Sequence, residues 1–374
     1  MRIGVDCRMF GPHFTGIGRY VYEFVKNAIA INAENGWPHE FVLFFNEPEY
    51  SGYETAKNVK KVLVNARHYS FKEQFKFPSK IKKEKVDVMF FPHFNVPIFY
   101  RKSYIVTIHD LTLSIFPGQK MTKFYHRIAY HSTIKNAVKR ARKIIAVSEN
   151  TKTDIVKFLH IQKEKIEVIY NGVGDEFRMI EDLKEFAPTL KKYNIKKEFL
   201  LYTGVWRSHK NLPRLIEAFD IIKNKDNLNL QLVITGKPDP HYPEVKEEIK
   251  KYKLKDDVIC TEPVDEKDLI DLYNAADMYV FPSLYEGFGM PPLEAMKCGT
   301  PVVASNASSI PEICGKAAAY FDPYDAKDVA KKITEVYKNA DKKAKLIEAG
   351  LIRAAKFSWK TAAEKIFDVL KSTI

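Results

Sequence analysis

The sequence predicts an α/β protein of two doubly wound domains, each a parallel sheet covered by helices on both faces. Three observations predict it. Short apolar strand-like runs alternate with helix-like runs through both halves, with no internal repeat, low-complexity tract or coiled-coil heptad. In each half a buried-type strand leads into a glycine-rich turn and then a helix, which is where such folds hold ligands. A charged, irregular stretch at 175–197 separates the halves. The chain of 374 residues is long enough for two domains, and 45% hydrophobic content supplies their cores. The expected domains are 1–180 and 181–359, with a last helix at about 360–374 packing back onto the first.

Composition narrows the functional classes. No run of 18 apolar residues is present, and the first residues enter a strand without a signal-peptide core. Cys7, Cys260, Cys298 and Cys314 stand alone, which argues against a disulfide framework or a zinc site and for a reducing cytoplasm. The net charge of +13 is lopsided: residues 1–180 hold 29 Lys and Arg against 17 Asp and Glu, and the remainder 31 against 30. A basic first half suits an anionic partner, or is a solvated lysine-rich surface.

Taken in order, the first domain opens with a strand at 2–6, a glycine loop holding Gly16 and Gly18, and a helix at 21–30. Strands follow at 41–45 and 62–65. Between 57 and 85 lysines such as Lys72, Lys76, Lys80 and Lys83 interleave with Tyr69, Phe71, Phe75 and Phe77. That mixture fits an anionic membrane interface or an acceptor surface, and equally a solvated face with aromatics tucked inward. Nucleic acid is not expected, because neither an RNA-binding motif nor helix-turn-helix spacing accompanies it. Buried strands at 86–91 and 104–108 come next, and His109 lies directly beyond the second, where a side chain meets a ligand. A strand at 143–147, a helix capped by Ser148, a strand at 167–170 and a turn at 171–174 close the half.

The second domain starts with a strand at 199–204, a loop carrying Arg207, His209 and Lys210, and a helix at 212–222. Cations at a strand end and a helix N-terminus suit a diphosphate. Strands at 230–236 and 258–261 precede a helix with Asp265 as N-cap. The stretch at 278–304 is the most informative: strand, glycine loop with Gly287 and Gly289, a helix opening at Pro291-Pro292, and a further strand. Glu286 in the loop and Glu294 in the helix stand in E-x7-E spacing, so two acids flank one anion-binding turn. A helix at Pro311, a strand at 318–321 and three helices complete the chain.

With the Lys210 loop and the two-glutamate loop in place, the chain resembles a retaining glycosyltransferase of the GT-B fold, family 4 (group 1), over nearly its whole length and most strongly at 200–219 and 277–321. The resemblance implies two Rossmann-like domains with a cleft between them. It places Glu286 near the transferred sugar, Glu294 on the nucleotide ribose and Lys210 on the donor diphosphate. It also implies Gly16 and Gly18 at the donor phosphates, His109 at the sugar, the amides of Phe288, Gly289 and Met290 at sugar or phosphate, and the Val264 backbone at the base. Many members carry arginine directly after the strand-end glycine, where this chain has Val205, so Arg207 (or His209) is expected to stand in. No DxD signature occurs; neither metal nor other cofactor is expected, and catalysis is electrostatic. The run from Gly287 onward most resembles mannosyltransferases of surface polysaccharide or lipid-linked glycans, implying GDP-mannose, with UDP-, dTDP- and other GDP-sugars as alternatives. The implied acceptor is a glycan or polyprenyl diphosphate, met at the inner membrane face. Two rivals stand beside this reading: a sugar-nucleotide epimerase of the same fold, and an inactive subunit that docks at the membrane.

Overall fold

The computed structural model describes residues 1–66, 68–117, 124–182 and 184–373. Its contacts divide the chain into two compact units. One comprises Met1–Ser114, Met121–Gly172 and Ser358–Ile374; the other comprises Ile115–Lys120 and Val173–Phe357. Among the described residues, no helix is long and apolar enough to cross a membrane.

The first unit is built on seven parallel strands: β1 (Arg2–Asp6), β2 (Glu40–Phe45), β3 (Val59–Leu63), β4 (Val88–Phe91), β5 (Tyr104–Ile108), β6 (Lys143–Ala146) and β7 (Ile166–Val168). Their order is β3-β2-β1-β4-β5-β6-β7. β4 and β5 are buried at every position, as an unbroken apolar run must be when helices cover both faces of a sheet. The final helix, Trp359–Lys371, belongs to this unit and lies against the helix Thr15–Glu34. Trp359 meets Tyr20 with ring centroids 5.8 Å apart, and Phe367 meets Phe41 at 5.6 Å.

Three local features depart from the sequence reading. The Gly16–Gly18 segment is not a loop but the first turn of the helix Thr15–Glu34. Glycine is a poor helix former, which hid the turn. Its use is close packing: a Cβ on Gly18 would come within 1.8 Å of the Gly11 carbonyl oxygen. The basic run contains an unforeseen helix, Phe71–Glu84, with Pro78 inside it. Ser70 caps it by accepting from the Glu73 amide at 3.2 Å, and Glu73 reaches back to the Tyr69 amide at 2.7 Å, so S-x-x-E was the missed signal. The units also part at Gly172 and Val173 rather than at 180. Phe177 is buried against Tyr273, at 5.9 Å between ring centroids, and the Ile180 amide donates to Asn274 Oδ1 at 2.8 Å, which ties 173–180 to the second unit.

The second unit has six parallel strands: β8 (Phe199–Thr203), β9 (Gln231–Thr235), β10 (Val258–Cys260), β11 (Met278–Phe281), β12 (Val302–Ser305) and β13 (Ala318–Phe321). The order β10-β9-β8-β11-β12-β13 reverses direction between β8 and β11. The point between the carboxyl ends of those two strands is the usual ligand position in doubly wound sheets. In the first sheet the corresponding point lies between β1 and β4.

Candidate active site

The loops after β8 and β11 hold the strongest constellation. Lys210 ends a short 3-10 turn, Ser208–Lys210, and its Nζ donates to Glu286 Oε1 at 2.7 Å, with both side chains mostly buried. The backbone fixes the pair. The Leu284 amide donates to the His209 carbonyl at 2.8 Å, so the two loops are joined directly. Asn211, in the left-handed region at φ +59, donates from Nδ2 to the carbonyls of Pro282 (3.1 Å) and Pro323 (2.8 Å). Asparagine tolerates that conformation better than most residues, and its side chain pins the loop after β11 and the segment that follows Phe321. On the other side the Glu286 amide donates to Ser308 Oγ at 3.2 Å, and its carbonyl accepts from Ser308 Oγ (2.7 Å) and Ser309 Oγ (3.0 Å). The acid's backbone is held before any ligand arrives, as preorganised electrostatics requires.

The same loop runs into the helix Met290–Lys297. Gly289 is its N-cap at φ +99, a conformation open to glycine and strained for other residues. Ser309 Oγ also donates to the Phe288 carbonyl at 3.0 Å. Glu294 lies inside the helix, 7% exposed, and its Oε2 accepts from the Tyr273 hydroxyl at 3.0 Å. Tyr273 in turn lies 2.9 Å from Thr203 Oγ1, which is 3.1 Å from the Tyr279 hydroxyl. Burial pushes the Tyr279 phenol well up, and the charges of Glu294 and Glu286 both add to that. Arg207 is exposed and makes no ion pair or side-chain hydrogen bond among the described residues, so Lys210 and Glu286 are paired without it. His209 is buried, its ring 6.3 Å from Phe116. Val264 lies in the loop after β10, separated from β11 by β9 and β8.

In the first unit, His109 follows β5 and its Nε2 lies 2.8 Å from the Pro92 carbonyl. A carbonyl only accepts, so Nε2 carries the proton and Nδ1 is the lone-pair nitrogen. Tyr20 packs edge-on at 4.7 Å, and burial lowers the imidazole pKa, outweighing the Pro92 hydrogen bond and Asp110. His109 is therefore a neutral hydrogen-bond acceptor near pH 7. Gly16 and Gly18 lie in the same unit, in the helix that carries Tyr20.

Around the β1–β4 switch point the chemistry is different. Arg8, 1% exposed, binds Asp6 through Nε (2.8 Å) and Nη2 (2.7 Å) and Glu73 through Nη1, with its guanidinium 4.1 Å over Phe77. Asn95 Nδ2 donates to Glu73 Oε1 at 2.8 Å. A cavity of about 10 Å³ lies against Asp6, Arg8, His68, His93 and Asn95, enough for one water.

Sequence reasoning missed Asn211, Tyr273, Thr203, Ser308 and Ser309. Asn211 was findable, as an asparagine between a strand-end loop and a Leu-Pro helix start; the hydroxyls were not, since each acts across the fold.

Residues 14–177 match the family model for glycosyltransferase family 4, and residues 185–353 match that for glycosyl transferases group 1. The chain belongs to the group 1 glycosyltransferases. It is 33% identical over 227 residues to the serotype-specific mannosyltransferase WbdA of Escherichia coli, a match that covers 60% of this glycosyltransferase and only 28% of WbdA. With the O-antigen chain mannosyltransferase B of Escherichia coli it shares 25% identity over 373 residues, 96% of each chain. Sucrose-phosphate synthase of Thermosynechococcus elongatus superposes over 100% of the glycosyltransferase and 98% of its own chain, with a TM-score of 0.77 at 18% identity. The two parallel-sheet, Rossmann-like units are those of the GT-B fold.

Proposed function

We propose that this glycosyltransferase moves mannose from GDP-mannose, with retention of anomeric configuration, onto a glycan or polyprenyl-diphosphate-linked acceptor at the inner membrane face. The observation that carries the reading is the Lys210–Glu286 contact of 2.7 Å at the β8–β11 switch point. The choice of mannose leans on the two Escherichia coli relatives, which are named as mannosyltransferases.

The anomeric C–O bond to the β-phosphate breaks, the acceptor hydroxyl bonds the same carbon from the same face, and its proton passes to the departing phosphate oxygen. Negative charge grows on the diphosphate. Lysine has three N–H donors; Glu286 takes one, which leaves two for phosphate oxygens. Exposed Arg207 supplies a second cation, and the amides of Phe288, Gly289 and Met290 add dipoles at the helix start. Glu286 orients the lysine and faces the sugar as the ring becomes positive. Glu294, steadied by Tyr273, accepts from the ribose hydroxyls, and the Val264 backbone meets the base. His109 accepts from a sugar hydroxyl through Nδ1, and the Gly16–Gly18 turn meets donor phosphate. No metal is needed for these roles.

The test is a melting panel with GDP-mannose, GDP-fucose, UDP-glucose, UDP-N-acetylglucosamine and dTDP-rhamnose, each with and without EDTA. A donor at 100 times its Kd stabilises by about 2.7 kcal/mol. An EDTA-insensitive shift with GDP-mannose alone is the expected result. A shift only with UDP- or dTDP-sugars overturns the donor, and no shift with any overturns the transferase reading in favour of an inactive subunit.

A further inference from the structure

Large exposed apolar side chains gather on one side of the first unit. Phe71 is 89% exposed, Phe75 64% and Phe99 51%. Phe71 and Phe75 are four residues apart on the helix Phe71–Glu84 and share a strip of its surface. Phe99, in the segment after β4, lies beside Phe75 with centroids 5.1 Å apart and the rings tilted by 30°. It is held there because Gln74 Oε1 accepts from the Ile98 amide at 2.7 Å. The buried stripe of this helix is Glu73, Phe77 and Ile81, so the phenylalanines point away from the core.

Lys72 and Lys76 each follow a phenylalanine, about 100° round the axis, and Lys80 and Lys83 continue their row. All four are exposed, and none makes an ion pair among the described residues. Arg101 and Lys102, also exposed, extend the positive charge beyond Phe99. Glu84, the acid in the last turn of this helix, is taken by Arg2 and Lys60. An aromatic strip beside an unneutralised lysine row is matched by a surface that is apolar beneath and negative on top.

We propose that this face docks on an anionic phospholipid bilayer, with Phe71, Phe75 and Phe99 entering the headgroup–acyl boundary and the lysine row meeting lipid phosphates. It deepens the lipid-linked-acceptor reading by naming the surface that meets the membrane, and its biological meaning rests on that reading. Glu73 gives the face a fixed bearing. It sits between Phe71 and Phe75 but points inward, onto Arg8 and Asn95 beyond the ends of β1 and β4. The docking strip is thereby pinned to the ligand-facing edge of its own sheet.

The test is co-sedimentation of the full chain with vesicles of phosphatidylcholine alone or with 30% phosphatidylglycerol, chosen as about the anionic content that attracts polybasic surfaces. Binding only to the anionic vesicles is expected. Phe71→Ser with Phe75→Ser should weaken it roughly tenfold or more. Lys72→Gln, Lys76→Gln and Lys80→Gln together should weaken it on the order of a hundredfold, at about fivefold per charge. A Phe75→Trp variant should be quenched by brominated acyl chains in the same vesicles. Absence of binding, equal binding to neutral vesicles, undiminished binding by either multiple variant, or bound Trp without quenching each overturns the proposal. Neither donor nor acceptor enters this assay, and the nucleotide-sugar melting shift of the same preparation reports separately on the transferase reading.

Discussion

The two sheets reverse their strand order by the same logic and use the resulting crevices in opposite ways. Between β1 and β4 the crevice is filled by the protein's own charge: Arg8 is held by two carboxylates, Asp6 and Glu73, and backed by Asn95 and Phe77. Between β8 and β11 the cation is Lys210, which has one carboxylate partner and N–H bonds to spare. Arginine's planar fork suits a closed, multiply bonded plug, and lysine's compact charge suits a partner that comes and goes. A switch point is thus an opportunity for binding, and the side chains decide whether it is structure or chemistry.

The sharpest way to break the comparison is at the plug. Glu73→Ala leaves Arg8 buried with half its partners, and removing one member of such a pair costs about 3–5 kcal/mol. Urea denaturation should register that loss in full; a loss under about 1 kcal/mol would mean the network is not structural. The matching change in the second unit should act on turnover instead. Lys210→Ala should slow transfer about 100- to 1000-fold while leaving the melting temperature nearly unchanged, since the lysine is there for phosphate. Steady-state kinetics alongside calorimetry separates the cases, and a large melting change with intact turnover would reverse the assignment.

A smaller effect probes the hydroxyl chain. Tyr273→Phe removes the donor to Glu294 and should raise donor KM by roughly fivefold, about 1 kcal/mol, with kcat preserved. A fall in kcat at constant KM would place Glu294 at the reacting centre instead. The smallest effect is a slope with pH. His93 and His109 are held neutral, their pKa values lowered chiefly by burial, while in the unfolded chain they titrate near 6.5. The unfolded state therefore binds more protons below that pH, so stability is complete above it and declines as pH falls. Melting curves at pH 7.5 and 5.5 should differ less for His93→Gln than for the unmodified chain; an equal difference would show that His93 is not part of the slope.

Much of this was legible in order along the chain. Strands such as Tyr104–Ile108, Met278–Phe281 and Ala318–Phe321 were read to the residue because both faces are buried and the apolar run is unbroken. Ser148 and Asp265 were read as caps because a cap acts three residues away: each accepts from the amide of Thr151 or Asp268. Glu286, Glu294 and Lys210 stood out by type and by spacing within a short stretch, a loop and the helix turn after it. What stayed hidden depends on distant partners. Arg8 is buried only because β4 and the helix Phe71–Glu84 close over it, and Pro78 masked that helix. Tyr273 and Ser308 acquire meaning only through residues 21 and 22 positions away.

The return of the last helix to the first unit has a consequence for how the chain is made. β1 leaves the ribosome before the second unit does, yet the helix that covers Thr15–Glu34, with Trp359, Ile366, Phe367 and Leu370 buried, is synthesised after it. The second unit, nearly all of it the continuous stretch Val173–Phe357, is translated in between. At about 5–20 residues per second, that interval lasts on the order of 10–40 s. For that long the first unit stands with an apolar groove uncovered while its neighbour can already fold. The nascent chain is thus exposed to aggregation at Phe41 and Tyr20, and the helix translated after the second unit acts as the latch that closes the first.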